Sequence, residues 1–356
     1  MTNPREYFSA HVQERDFFIA SSGGNVHTLI SVGEDWSSRR YFRVTLHSGK
    51  TAILMETLPD HLGGGGAGHR LADFIRLAEV LRSAGLNAPD ILSADPAQGY
   101  ALIEDMGNVT FREAMTHPHH TKTAYQLAVD VLIHLRSLST SSLNLPDYFS
   151  SHIHTARRRV VEWYMPLARA RVNEPGLSNS FLTVMDYIQN SLPPCPTGFV
   201  HGDFHPGNLM WRDQAHGLAR AGILDFQGAM TGPMAYDVAN LLWDAQGDIP
   251  ADIRHDMLTA YLRDMRPEEQ DVLKAWIALI AVQFHSRVIG QVIKLSVRAD
   301  KTKMMAHLPR LQAYLRSELK QDMFAPLRIW FDDHGITFNE DINVNQPERL
   351  IAPDAL

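Results

Sequence analysis

The sequence predicts an α+β protein of two lobes, a small antiparallel-sheet lobe followed by a larger, mainly helical one. Three observations lead there. At 356 residues the chain exceeds what one hydrophobic core usually serves, so two lobes with a cleft between them are expected. Residues 26–103 alternate short apolar runs with turn residues, the pattern of strands. Residues 121–320 instead carry helical periodicity over long segments, and the change of character falls at Glu104-Asp105-Met106-Gly107.

Val26 to Val32, Arg40 to Leu46 and Ala52 to Glu56 read as three successive antiparallel strands, the last two joined at His47-Ser48-Gly49-Lys50. A helix over His69 to Ser83 puts Leu71, Phe74, Ile75, Ala78 and Leu81 on one face and stops at Gly85. Two short strands follow, near Ile91 and at Tyr100 to Ile103. Beyond them the periodicity predicts helices over Lys122 to Leu138, Ile153 to Ala170, Asn179 to Asn190, Tyr236 to Ala245, Ile253 to Leu262, Glu268 to Leu295 and Leu308 to Leu319.

Composition narrows the class. With 45% hydrophobic and 21% charged residues the chain is foldable throughout. Its formal charge is -7 and no segment gathers enough Lys and Arg to track a phosphate backbone, which argues against nucleic acid as a partner. Cys195, the single cysteine, allows no internal disulfide and fits a reducing compartment. The opening residues carry charges where a secretory signal needs an apolar run, and the stretch Ala275 to Phe284 is too short to cross a bilayer. A cytoplasmic protein without membrane attachment is expected, and no obligatory protein partner is implied. Residues 63–68 are rich in glycine but lack the Lys-Ser/Thr ending of a phosphate-binding loop, so they read as a linker.

The informative segment is His201-Gly202-Asp203-Phe204-His205-Pro206-Gly207-Asn208, followed after a turn by Leu224-Asp225-Phe226-Gln227-Gly228. A carboxylate five residues before an asparagine, with an aspartate on a strand beyond, is the spacing of a kinase catalytic loop. Phosphoryl transfer needs positioning and charge neutralisation more than covalent help. Asp203 is therefore the candidate catalytic carboxylate. Asn208 and Asp225 offer the hard oxygens that Mg2+ prefers while it bridges the phosphates of ATP. His201 and His205 sit four apart, but Gly202, Pro206 and Gly207 make the segment a loop, so a zinc role is not expected. His117-Pro118-His119-His120 reads as a solvated loop.

The segment resembles the aminoglycoside phosphotransferase and choline kinase superfamily, whose loop reads H-G-D-x-x-x-x-N. Leu224-Asp225-Phe226-Gln227-Gly228-Ala229 and Gly232-Pro233-Met234-Ala235-Tyr236-Asp237 resemble one branch, the anomeric N-acetylmuramate/N-acetylglucosamine kinases of cell-wall recycling. Ser38-Arg39-Arg40-Tyr41-Phe42-Arg43, Ile53-Leu54-Met55-Glu56, Asp105-Met106-Gly107, Gln283 to Gly290 and Leu308-Pro309-Arg310 are similar to further stretches of that branch, over residues 25 to 320. The resemblance implies a bilobal, protein-kinase-like fold divided as 1–103 nucleotide-binding lobe, 104–108 hinge and 109–356 helical lobe with the catalytic loop and substrate site. It implies ATP and Mg2+, an amino sugar as substrate, adenine against the hinge backbone at Glu104 and Met106, and Asp237 as support for the catalytic loop. An aminoglycoside or other small-alcohol kinase, or a nucleotide-binding pseudokinase, is the alternative.

The chain departs from the branch at Gly228, where Asp is usual, and at Trp243 and Phe284, where Arg is usual. Arg287 falls where the branch carries Lys. Met55 stands where protein kinases place a strand lysine. Arg39 and Arg43, which strand alternation would put on one face, are the candidate cations for the phosphates.

Overall fold

The computed structural model describes residues 3–32, 39–64, 69–299, 301–344 and 347–351. Ser38 and residues 65–68 of the glycine run lie outside the described residues. The protein folds as two compact units that interleave in sequence: Met1–His134 with His201–Ala229, and Leu135–Val200 with Met230–Leu356.

The first unit opens with α1 (Pro4–Ala10) and α2 (Val12–Ser21) and then builds one antiparallel sheet. Its strands are β1 (Ile30–Ser31), β2 (Arg40–Thr45), β3 (Thr51–Glu56), β4 (Ile91–Asp95) and β5 (Tyr100–Glu104), in the order β1-β2-β3-β5-β4. The β2–β3 turn is the expected one, with Gly49 at φ +84 supplying a conformation that other residues adopt only with strain. Ile19, Val44, Ala52, Leu54, Tyr100 and Leu102 form a continuous buried core beneath the sheet. The expected first strand is mostly not one. Val26–Thr28 is a 3-10 turn, because the Asn25 side chain accepts the His27 amide at 3.0 Å and the Thr28 hydroxyl donates to the Asn25 carbonyl at 2.7 Å. That local Asx cap outweighs the β-propensity of the segment.

Helix α3 (Leu71–Ser83) follows the glycine run. Asp60, on the other side of that run, caps it by accepting from the Leu71 and Ala72 amides at 2.7 and 3.1 Å. Asp60 thus provides an ordinary N-terminal cap for α3. After β5 come α4 (Phe111–Ala114) and α5 (Pro118–Arg136). The chain returns to this unit just past β6 (Thr197–Val200), a strand of the second unit, and adds the antiparallel hairpin β7 (Leu209–Trp211) and β8 (Ala221–Ile223).

The second unit is mainly helical. Its first stretch, expected as one helix over Ile153 to Ala170, is instead α6 (His152–Thr155), a 3-10 turn, a π-helical turn over Val160–Tyr164, and α7 (Met165–Ala168). Pro166 has no amide to offer the carbonyl four residues back, which disfavours a regular α-helix here. The Met165 amide reaches back five residues, to the Val160 carbonyl. Then come α8 (Leu177–Ser191), a ribbon of β6 with β9 (Met230–Pro233), α9 (Ala235–Leu242), α10 (Ala251–Leu262), α11 (Pro267–Arg298), α12 (Leu308–Glu318) and α13 (Ala325–Asp333).

Helix α11 is long and apolar enough to cross a membrane, yet most of its apolar window is buried inside this unit, with Leu273, Ile277, Ile280, Ile289 and Ile293 in the core. Packing accounts for its apolar face. Gly290 lets the helix approach the preceding layer closely: a Cβ there would stand 2.2 Å from the Arg159 carbonyl oxygen.

Candidate active site

Asp203, Asn208 and Asp225 all lie in the first unit. The loop before β7 is fixed by its own histidines. His201 Nδ1 accepts the Asp203 amide at 3.3 Å, so its proton sits on Nε2, which donates to the Leu224 carbonyl at 2.9 Å. His205 Nδ1 accepts the Gly207 amide at 3.0 Å, and its Nε2 faces Asp203 Oδ2 at 3.6 Å. Both histidines thus serve the loop's geometry.

Asn208 Nδ2 donates to the Asp203 carbonyl at 2.9 Å and to its carboxylate at 3.1 Å. With the amide nitrogen so used, Oδ1 of Asn208 is left as a free oxygen donor among the described residues. The Asp203 carboxylate itself is half exposed, and so open to an incoming hydroxyl. The Leu224 amide donates to the Asn208 carbonyl at 3.0 Å, which joins the loop to the start of the next cluster.

Asp225 occupies a left-handed conformation, φ +58 and ψ +34. Such a backbone costs a non-glycine residue about 1–3 kcal/mol and persists only where its surroundings hold it. Here the hold is visible: Phe226 is fully buried and stacks on Phe74 of α3 at 4.9 Å, while the Gln227 amide donates to Asp225 Oδ1. The buried Arg39 guanidinium stands 3.6 Å from the same oxygen. A Cβ at Gly228 would come within 3.1 Å of His69 Nε2, so an imidazole fills the space in front of the residue that departs from the branch.

The residues fit a magnesium ion. A free amide oxygen and a carboxylate are hard donors, and this ion takes few protein ligands beside water and phosphate. Among the described residues no group of three or more His, Cys, Asp or Glu side chains is arranged to hold a metal, so a closed structural site is not part of this arrangement.

The three arginines at β2 take three different carboxylate partners. Arg39 precedes the strand and meets Asp225. Arg40 pairs with the fully buried Glu56, whose carboxyl burial pushes up against the pull of Arg40. Arg43 is committed to the strap after β5: it makes a bidentate pair with Asp105 at 2.6 and 2.9 Å and donates to the Gly107 carbonyl at 3.2 Å. Burial would raise the Asp105 carboxyl, but hydrogen bonds from Arg43, Thr51 and the Gly107 amide outweigh it and hold it below the usual carboxylate range. The Glu104 carboxylate takes Arg212 at 2.6 Å, and Met106 packs against Gly222 of β8. Met55, where protein kinases place lysine, is buried on β3.

Gln227 and Phe74 carry roles at this site that spacing alone did not assign. In the second unit Asp237 is buried in the first turn of α9. Trp243 and Phe284, at which the branch carries arginine, are each covered by another guanidinium: Arg254 lies 5.3 Å over Trp243, and Arg287 lies 5.3 Å over Phe284.

A carboxylate tethered to an amide across five residues, joined to a strained aspartate beyond a hairpin, is an arrangement for phosphoryl transfer. The chain matches the phosphotransferase enzyme family over residues 28–272, more than half its length. It belongs to that family. This phosphotransferase is 28% identical over 311 residues to the N-acetylmuramate/N-acetylglucosamine kinase of Pseudomonas aeruginosa, covering 85% of this chain and 87% of that one. The kinase of the same name from Caulobacter vibrioides is 29% identical over 346 residues, covering 88% and 94%. Among solved structures, a choline/ethanolamine kinase family protein from Mesorhizobium loti superposes with a TM-score of 0.57 at 16% identity, over 90% of this chain and 98% of that one. The GDP complex of aminoglycoside 2'-phosphotransferase-IIIa gives 0.57 at 14% identity, over 89% and 99%. The fold of the phosphotransferase is therefore the kinase-like α+β fold that the sequence resemblance implied.

Proposed function

We propose that this phosphotransferase moves the γ-phosphoryl group of ATP, with Mg2+, to the anomeric hydroxyl of N-acetylmuramate or N-acetylglucosamine. The observation that carries the substrate is the similarity, over more than four-fifths of both chains, to kinases named for those two sugars. The reaction type rests on the tether between Asn208 and Asp203.

In this reading Asp203 orients the attacking hydroxyl and takes its proton as the bond to phosphorus forms. An anomeric hydroxyl is more acidic than an ordinary alcohol, which lightens that task. Asn208 Oδ1 and the Asp225 carboxylate would hold a magnesium ion, which would offset charge on the phosphates. Arg39, already beside Asp225, supplies the cation that a strand lysine gives in protein kinases. Arg43 acts near the nucleotide as the brace of the strap, through Asp105 and Gly107. Residues 104–108 form the hinge, where the Met106 amide and carbonyl, with no partner among the described residues, suit the edge of adenine. ATP as donor places the reaction in the cytoplasm.

Product analysis tests the proposal. Incubation with ATP and magnesium should yield a 1-phosphate from the free sugar, read by phosphorus NMR, and none from the 1-O-methyl glycoside. Phosphate on the 6-hydroxyl, or faster turnover of an aminoglycoside, would overturn it.

A further inference from the structure

One helix face of the second unit gathers positive charge that the described residues do little to neutralise. Arg287, Gln291, Lys294 and Arg298 follow one another on α11 at steps of four, three and four, which aligns them in a single stripe. Gly290 lies between Arg287 and Lys294, and there the Arg159 backbone presses against the helix, so Arg159 joins the stripe at its centre. Arg159 also starts the π-helical turn Val160–Tyr164, a local widening that in proteins tends to accompany functional sites. Trp163 in that turn carries Lys294 and Arg298 over its ring, at 5.7 and 5.9 Å. Arg287 reaches the Tyr236 hydroxyl at 3.4 Å.

The opposing charge is small. Among the described residues Glu162 is the carboxylate beside this group, and it is already bonded by Arg158 at 2.6 Å. The cations consequently press on one another. Burial, and then Arg287, lower the Arg159 guanidinium to about 10. Burial, then Arg159 and Arg298, lower the Lys294 ammonium, and burial, then Arg287 and Arg159, lower the His152 imidazole. Half-buried like charges held together raise the free energy of the unliganded protein unless an anion joins them. The stripe also contains an acceptor: Gln291 Oε1 is buried with no partner among the described residues. Cations that suit an oxyanion, beside an acceptor that suits a hydroxyl or amide N–H, match a sugar bearing an acidic group.

We propose that Arg159, Arg287 and Lys294, with Gln291, form a subsite that recognises the carboxylate of an acidic sugar. The proposal rests on the amino-sugar reading above and narrows it. N-acetylmuramate carries a carboxylate and N-acetylglucosamine does not, so the subsite sets a preference between the two sugars named for the relatives. Arginine and lysine supply charge-assisted hydrogen bonds to the carboxylate oxygens, and Gln291 accepts from the sugar.

Titration calorimetry on the full chain tests this directly, with each sugar and with inorganic phosphate as separate ligands. The parent protein should bind N-acetylmuramate more tightly than N-acetylglucosamine. In Arg159→Gln and in Arg287→Gln the ratio of the two affinities should fall about tenfold, the loss of one charge-assisted bond, and Arg159→Lys should restore part of it. Lys294→Gln, which leaves the packed Arg159 segment untouched, should act in the same direction and serves if the arginine variants do not fold. Equal affinity of the parent for both sugars, or a preference that survives all three charge removals, overturns the subsite. Inorganic phosphate binding as tightly as N-acetylmuramate would make it a general anion site and overturn it too. Turnover is read separately: if neither sugar gains phosphate, the kinase reading fails while the titration still decides the subsite.

Discussion

In the proposed reaction Asp203 meets the acceptor and Asp225 the magnesium beside the phosphates, so their loss should have different effects. Asp203→Asn keeps the shape of the loop and the capacity to bond Asn208, so nucleotide affinity should change little while kcat falls by about two to four decades, the range of a lost general base. Asp225→Ala should instead abolish the magnesium dependence of ATP binding, since Asn208 alone brings no charge. Steady-state kinetics and calorimetry with and without magnesium separate the two; full activity in Asp203→Asn would refute its role. These residues were legible in the sequence because the spacing of 203 to 208 lies within one loop. The partner of Arg43 was not. Asp105 is 62 residues away, and no local pattern distinguishes it from other aspartates until β2 and β5 are placed in the same sheet. Strand alternation likewise could not name the partner of Arg39, because Asp225 lies far along the chain from β2.

Strands and helices with a clean period were read to within a few residues. Arg40 to Leu46 is β2 with one residue added, and Glu268 to Leu295 is α11 with a short extension at each end. Where a side chain competes locally for the backbone, as Asn25 does, or where proline removes a donor, as at Pro166, periodicity misjudged the element. The close crossing at Gly290 is of another kind. Alanine would gain roughly 1 kcal/mol in helix propensity over glycine. Against this, its methyl would meet the Arg159 carbonyl at 2.2 Å, and backbone cannot swing aside as a side chain can. Overpacking of this sort costs about 1–3 kcal/mol or more, so Gly290→Ala should lower the urea midpoint with an unchanged slope. A midpoint equal to or above the parent's would show that the helix and the π-helical turn separate readily.

The order of the units along the chain determines what can stand alone. The first unit's sheet is encoded by the opening residues, but its core is completed from His201–Ala229. Phe226 stacks on Phe74, Gly222 bridges Asn87, Met210 bridges Thr110, and Arg212 pairs with Glu104. A fragment ending at residue 134 lacks all of these. It should show no cooperative urea transition and only weak near-ultraviolet circular dichroism, whereas the full chain should show a cooperative transition and strong near-ultraviolet signals; a sharp transition in the fragment would mean that the sheet suffices.

The interleaving also sets a schedule during synthesis. Roughly 95 residues separate the last of the opening segment from the end of the hairpin segment, so at about 5–20 residues per second the ribosome needs on the order of 5–20 seconds to deliver the missing piece. Throughout that interval the nascent chain holds Phe74 on α3 without the Phe226 ring that stacks on it in the finished fold, and a chaperone that shields apolar surfaces has an opportunity there.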